Sequence, residues 1–206
     1  MTSIMKIPTL LLAFMAAFFC DDAVAQGRFF DARLGFEQMS NSSGTSLFSD
    51  IQSPQSVPSI GFSIGWPVSD HSTLGVVYTH DFSSFLRPTF SESYGLNKLC
   101  GELLVYKDIM PDVTCIYGFS MGAMLASNTV TVGELTDTYN RFGVVVSPKL
   151  GVGYRLDNTR FGVMYEWCAG AFLSKKYDVP QNIGLPAAGG RSYWGHSLTL
   201  TVARCF

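Results

Sequence analysis

The sequence predicts an all-β fold, a closed eight-stranded antiparallel transmembrane β-barrel. Three observations carry that prediction. Apolar residues recur with period two along most of the chain, the period of a strand with two unlike faces. The second face is built mainly of Gly, Ser and Thr, with only an occasional charge. Beyond the N-terminal segment no second long apolar run appears, so the chain can enter lipid only as a closed barrel that satisfies its own backbone. Composition agrees. Of 206 residues 47% are hydrophobic and 15% charged, against about 25% charged in ordinary soluble domains. The net charge is −2, with no Lys/Arg cluster along the chain, so no nucleic-acid partner is expected.

Residues 1–25 read as a signal peptide and 26–206 as the barrel domain. Lys6 supplies the positive region, Leu10 to Cys20 the apolar one, and Ala23-Val24-Ala25 the small-residue cleavage pattern before Gln26. An apolar run of that length falls short of the ~20 residues that a spanning helix needs. A lipoprotein reading at Cys20 is disfavoured by the bulky Phe19 just before it.

The strands follow in order. Phe30, Ala32, Leu34 and Phe36 alternate with Asp31, Arg33, Gly35 and Glu37. Ile60, Phe62, Ile64 and Trp66 alternate with Ser59, Gly61, Ser63 and Gly65, and Leu74, Val76 and Tyr78 with Thr73, Gly75, Thr79 and Asp81. The fourth, over 97–107, is the least regular: Leu99, Leu103 and Val105 oppose Lys98 and Glu102, while Leu104 and Tyr106 blur the pattern. Cys115, Tyr117, Phe119 and Met121 mark the fifth, Val144 to Tyr154 the sixth, Phe161 to Trp167 the seventh and Leu198 to Phe206 the eighth. Long polar loops are expected at 39–58, 82–96, 126–141 and 173–192, and short turns at 68–72, 108–113 and 157–160. Long loops at one end and short turns at the other are the pattern of membrane barrels, with both termini on the periplasmic side.

A soluble lipocalin-like carrier also alternates, so the content of the faces decides. Small residues suit a narrow eight-stranded lumen, and the bulky face suits lipid. Aromatics are expected in two girdles. One comprises Phe30, Trp66, Tyr117, Tyr154, Phe161 and Phe206; the other, Tyr78, Phe82, Phe142, Phe172 and Trp194.

With its signal, eight strands, four long loops and terminal aromatic, the chain resembles the small OmpA/OmpX-type outer-membrane barrels, a porin-like outer-membrane protein family. The resemblance implies residence in the cell outer membrane, in contact with outer-membrane lipid and lipopolysaccharide. It also implies that Leu198, Leu200, Val202 and Phe206 form the signal read by the barrel-assembly machinery. Arg204 departs from that pattern, standing where the family usually places an aromatic or apolar residue. No peptidoglycan-binding domain of the kind larger relatives carry is expected after Phe206.

Four ionisable residues are expected in the lumen near mid-height: Arg33, Glu102, Lys149 and Glu166. Buried charges must pair, so these are expected to form a salt-bridged network that fills the interior. The alternative is an ion gate that opens by exchanging partners. Lipid-modifying enzymes share this architecture, but His80-Asp81 and His196-Ser197 each put their two side chains on opposite faces and form no dyad. No enzyme activity is therefore expected. Cys100 and Cys168 point into the lumen from strands that are not neighbours and Cys115 points to lipid, so free thiols are expected. Their spacings and that of Cys205 match no zinc motif, no phosphate loop appears, and no cofactor is expected. What remains is a structural or surface-interaction barrel, acting through four long extracellular loops on an extracellular or host surface ligand. A narrow gated channel stands second and a lipid-modifying enzyme third.

Overall fold

The computed structural model of the protein describes residues 29–39, 56–87, 90–177 and 192–205. Eight strands follow in chain order: β1 (Phe29–Met39), β2 (Val57–Ser69), β3 (Ser72–Arg87), β4 (Phe90–Met110), β5 (Val113–Val132), β6 (Leu135–Leu156), β7 (Thr159–Tyr177) and β8 (Ser192–Cys205). Each pairs antiparallel with the next, and β1 pairs β8 from Phe29↔Cys205 to Met39↔Gly195, which closes the ring. Residues 1–28, which include the expected signal peptide, the connections 40–55 and 178–191, residues 88–89 and Phe206 lie outside the described residues.

The register fixes the bore. Paired residues followed once around the ring from Phe29 run through Gly65, Gly75, Glu102, Ser120 and Ser147. Ser147 sits opposite Cys168 by continuation of Val146↔Ala169 and Lys149↔Glu166, and Cys168 leads through Gly195 to Met39. The path rejoins β1 ten residues beyond its start. With eight strands this stagger tilts each strand by about 40° and gives a backbone radius of about 8 Å. Such an interior holds side chains and little else.

The two faces are unlike, as the alternation demands. Outward residues include Leu34, Leu150, Leu200 and Met121, each between 58% and 63% exposed. A water-soluble barrel would hide such residues, so this one is built the other way round, with its apolar side toward lipid. Phe30, Trp66, Tyr117, Tyr154 and Phe161 face outward near the short-turn end; Phe82, Phe142 and Trp194 do so about 25 Å higher along the axis, by strand rise and tilt. Tyr78 does not reach that upper girdle: only four residues beyond Leu74, the partner of Trp66, it lies near mid-height. Phe172 does not join the upper girdle. It lies on the lumen parity of β7, is buried, and stacks under Arg141, whose guanidinium carbon is 3.8 Å from the ring centroid.

Two of the four expected loops are not loops. β3 and β4 stay paired up to Arg87↔Phe90, and β5 and β6 up to Val132↔Leu135. On β5 and β6 polar residues face outward above the lipid belt, in the ladder Ser127↔Asn140, Thr129↔Thr138 and Thr131↔Thr136, while Glu92, Asn128, Asp137 and Arg141 are polar and buried. Polarity there reflects a watery surround, not the loss of strand. The β5–β6 hairpin turns at Gly133-Glu134, where Gly133 takes φ 60°, the first central position at which a two-residue hairpin of this kind requires glycine. Short turns close the other end at 70–71, 111–112 and 157–158, and Asp157 adopts φ 53°, a conformation aspartate tolerates.

Strand spacing also depends on a missing side chain at Gly122. A Cβ there would stand 2.1 Å from the Leu99 carbonyl oxygen and 2.5 Å from the Cys100 Cα, both main-chain atoms that cannot swing aside. Gly122→Ala is expected to destabilise the barrel by about 2 kcal/mol in urea unfolding from micelles. At outward Gly101 the nearest atom to an added Cβ is 3.9 Å away, so Gly101→Ala should shift the same curve by less than about 0.5 kcal/mol.

Candidate functional site

The lumen is closed in layers. Nearest the short turns, Leu104, Ile116 and Met164 form an apolar floor with Tyr106 packed against it. The Arg160 guanidinium lies 4.1 Å from the Tyr106 ring centroid. Leu104 and Tyr106, which blurred the alternation of the fourth strand, occupy lumen positions and form part of this floor.

Above it lies the first charged layer. The structure brings together the four residues singled out from the sequence and adds Asp31. Arg33 forks onto Glu102, with Nη2 2.6 Å from Oε1 and Nη1 2.8 Å from Oε2, and its Nε donates to Asp31 Oδ2 at 2.8 Å. Lys149 Nζ donates to Glu102 Oε2 at 2.5 Å and to Glu166 Oε1 at 3.1 Å. Arg33 also reaches Glu166 Oε1 at 3.4 Å. β1, β4, β6 and β7 are thereby tied across the bore by one network. Buried charged groups with several hydrogen bonds each, in low dielectric, are costly to separate.

A second charged layer, about 10 Å higher by strand rise and tilt, was not identified from the sequence. Lys98 bridges Glu37 and Asp81: its Nζ hydrogen-bonds Glu37 Oε2 and stands 3.0 Å from Asp81 Oδ2. Both carboxylates are fully buried. The signal for this layer was present, since all three residues fall on the Gly/Ser/Thr parity of their strands. Glu37 and Asp81 closed their expected strands, and Lys98 sat on the least regular one. Opposite these charges the bore is apolar, with Leu96, Met124, Val145, Phe172 and Tyr193 in one cluster.

The remaining chemistry is dispersed. His80 points outward and Asp81 inward, and His196 outward while Ser197 is buried. His80 Nδ1 and Tyr78 Oη share Asn97 Oδ1 at 2.9 and 2.6 Å, and His196 Nδ1 pairs with Tyr165 Oη on the outer surface. Cys100, Cys115 and Cys168 are free thiols, and Ser147 Oγ lies 3.2 Å from Cys168 Sγ. Among the described residues, no three His, Cys, Asp or Glu side chains gather as metal ligands. Leu198, Leu200 and Val202 face outward along β8.

No protein-family model matches the chain, and no curated protein sequence matches it. Solved structures do. Neisserial surface protein A superposes with a TM-score of 0.57 at 16% identity, covering 88% of this chain and 98% of that one. Ail, the attachment invasion locus protein of Yersinia pestis, gives 0.55 at 9% identity, covering 87% and 99%. Ail in complex with the heparin analogue sucrose octasulfate gives 0.54 over the same coverage. At these identities the likeness is one of fold: the chain has the architecture of the small eight-stranded outer-membrane barrels.

Proposed function

We propose that this protein is an outer-membrane barrel whose work is done by its outer surface at the end away from the short turns. The observation that carries the reading is the filled lumen. Among the described residues, an apolar floor, two charged layers and the buried cluster of Leu96, Met124, Val145, Phe172 and Tyr193 fill successive levels of the bore. Meanwhile β5 and β6 continue about 18 Å past the upper girdle, by strand rise and tilt, and carry Ser, Asn and Thr outward. A rigid barrel that lifts a polar sheet clear of the membrane is suited to contact with an extracellular or host surface ligand. The fold likeness to an attachment protein and a surface protein supports the same reading, as does the complex of one of them with a heparin analogue.

In this reading the short turns face the periplasm, lipid and lipopolysaccharide surround the belt, and the outward Leu198, Leu200 and Val202 of β8, with Phe206, serve the barrel-assembly machinery. No catalytic role is assigned. Location is tested by gel mobility of the outer-membrane fraction: a folded barrel should migrate faster unboiled than boiled. The surface role is tested by shortening the β5–β6 hairpin to the upper girdle, deleting residues 127–140. That variant should keep the heat-dependent shift and lose adhesion to host cells or matrix. Adhesion equal to that of the full chain would contradict the reading.

A gated channel is the competing reading, favoured by one observation: Glu102 is shared between Arg33 and Lys149, so partners could in principle exchange. Purified protein in planar bilayers is expected to show no unitary conductance steps, either as wild type or as Glu102→Gln. Steps that change with Glu102→Gln would place the function in the lumen instead.

A further inference from the structure

The second charged layer sets two carboxyl groups, Glu37 and Asp81, against the single ammonium of Lys98. The next cation up the bore, Arg141, is held over the Phe172 ring. Glu37 Oε1 and both Asp81 carboxylate oxygens are buried without a hydrogen-bond partner among the described residues, and so are the Tyr94 and Tyr193 hydroxyls. Asp81 Oδ2 touches Lys98 Nζ as an ion pair outside hydrogen-bonding geometry. In the first layer only Asp31 Oδ1 is left so. Buried unsatisfied oxygens gathered in one place call for a bound partner.

The place is defined by a glycine. A Cβ on Gly195 would stand 2.7 Å from Glu37 Oε1, 3.1 Å from Tyr193 Oη and 3.4 Å from the Gln38 carbonyl oxygen. Three oxygens of different kinds, carboxylate, phenol and main-chain carbonyl, thus stand close against Gly195, in space that any larger residue would take. Tyr193 is fully buried and aims its hydroxyl there from outside the charged trio. Lys98 holds Oε2 of Glu37, which leaves Oε1 turned to Gly195. Oxygen-only donors that include a carboxyl group suit a hard monovalent cation. We propose that the layer binds one sodium or potassium ion between Glu37, Tyr193 and the Gln38 carbonyl, beside Gly195.

The test uses the full mature chain refolded in detergent micelles at pH 8. The temperature at which the unboiled gel band converts to the boiled form is measured in sodium, potassium or choline chloride at equal ionic strength. Sodium or potassium should raise that midpoint by about 3 °C or more over choline, and Gly195→Ala and Tyr193→Phe should each lose the increment. Tyr193→Phe removes one oxygen and nothing else, so it decides the matter if Gly195→Ala fails to fold. Equal midpoints in all three salts would overturn the site. An increment that survives in Tyr193→Phe would place the cation elsewhere and equally overturn it. Neither result bears on the surface role proposed above.

Discussion

Replacing Arg33 by alanine is expected to destabilise the barrel by about 3–5 kcal/mol, the usual consequence of leaving buried partners of a charge unpaired. The residue makes two short bonds to Glu102 and one to Asp31, and with it gone Asp31, Glu102 and Glu166 share Lys149 alone. Arg33→Lys should recover only part of the loss, because one ammonium cannot reproduce the two-pronged contact. Urea unfolding from micelles reads both. Exchanging the whole layer together for apolar residues of similar volume should be far milder than Arg33→Ala, since no charge is then stranded. A loss below about 1 kcal/mol for Arg33→Ala would mean that water already reaches the layer, and would move the balance toward a conducting bore.

The second large effect is expected on the opposite face of the same strand. Leu34 points outward, 63% exposed, midway between the two aromatic girdles. Leu34→Arg should cost about 2–4 kcal/mol in lipid vesicles, as a charge at the bilayer midplane of a barrel does. Thr136→Arg, outward and exposed on the β5–β6 hairpin, should cost less than about 0.5 kcal/mol. The pair locates the membrane on the molecule. Similar costs at both sites would remove the distinction between a lipid belt and a projecting sheet.

How much could be read beforehand differs from strand to strand, for physical reasons. Strand period was readable wherever lipid and lumen impose opposite demands, as at Leu34 and Arg33 or Leu150 and Lys149. It faded where the outer surface leaves the lipid. At Ser127, Thr129 and Thr131 the outward positions are polar, and the inward Asn128 is polar too, so the contrast that marks a strand is weak although Val130 keeps the phase. Backbone pairing, which side-chain polarity does not report, then continues unseen to Val132↔Leu135. Phe172 was assigned by its height alone; counting parity from Phe161 turns it inward. Arg33, Glu102, Lys149 and Glu166 could be placed in the bore by phase within well-marked strands. Their assembly into one network depends on the stagger between strands, which no single strand encodes. The second layer was missed for a related reason, since Glu37, Asp81 and Lys98 meet only once three separate strands are set at one height.

The wiring of the first layer also constrains how the molecule can be made. Arg33 lies on the first strand, and its acidic partners on β4 and β7 lie 69 and 133 residues downstream. While β1 waits for β4, its guanidinium has Asp31 and the Ser63 hydroxyl of β2 beside it and lacks Glu102. Hydrocarbon would penalise that state heavily. A sheet whose concave side stays wet until β4 and β7 are in place avoids that cost, and a half-barrel that lacks them would leave Arg33 without two of its carboxylate partners in the bilayer.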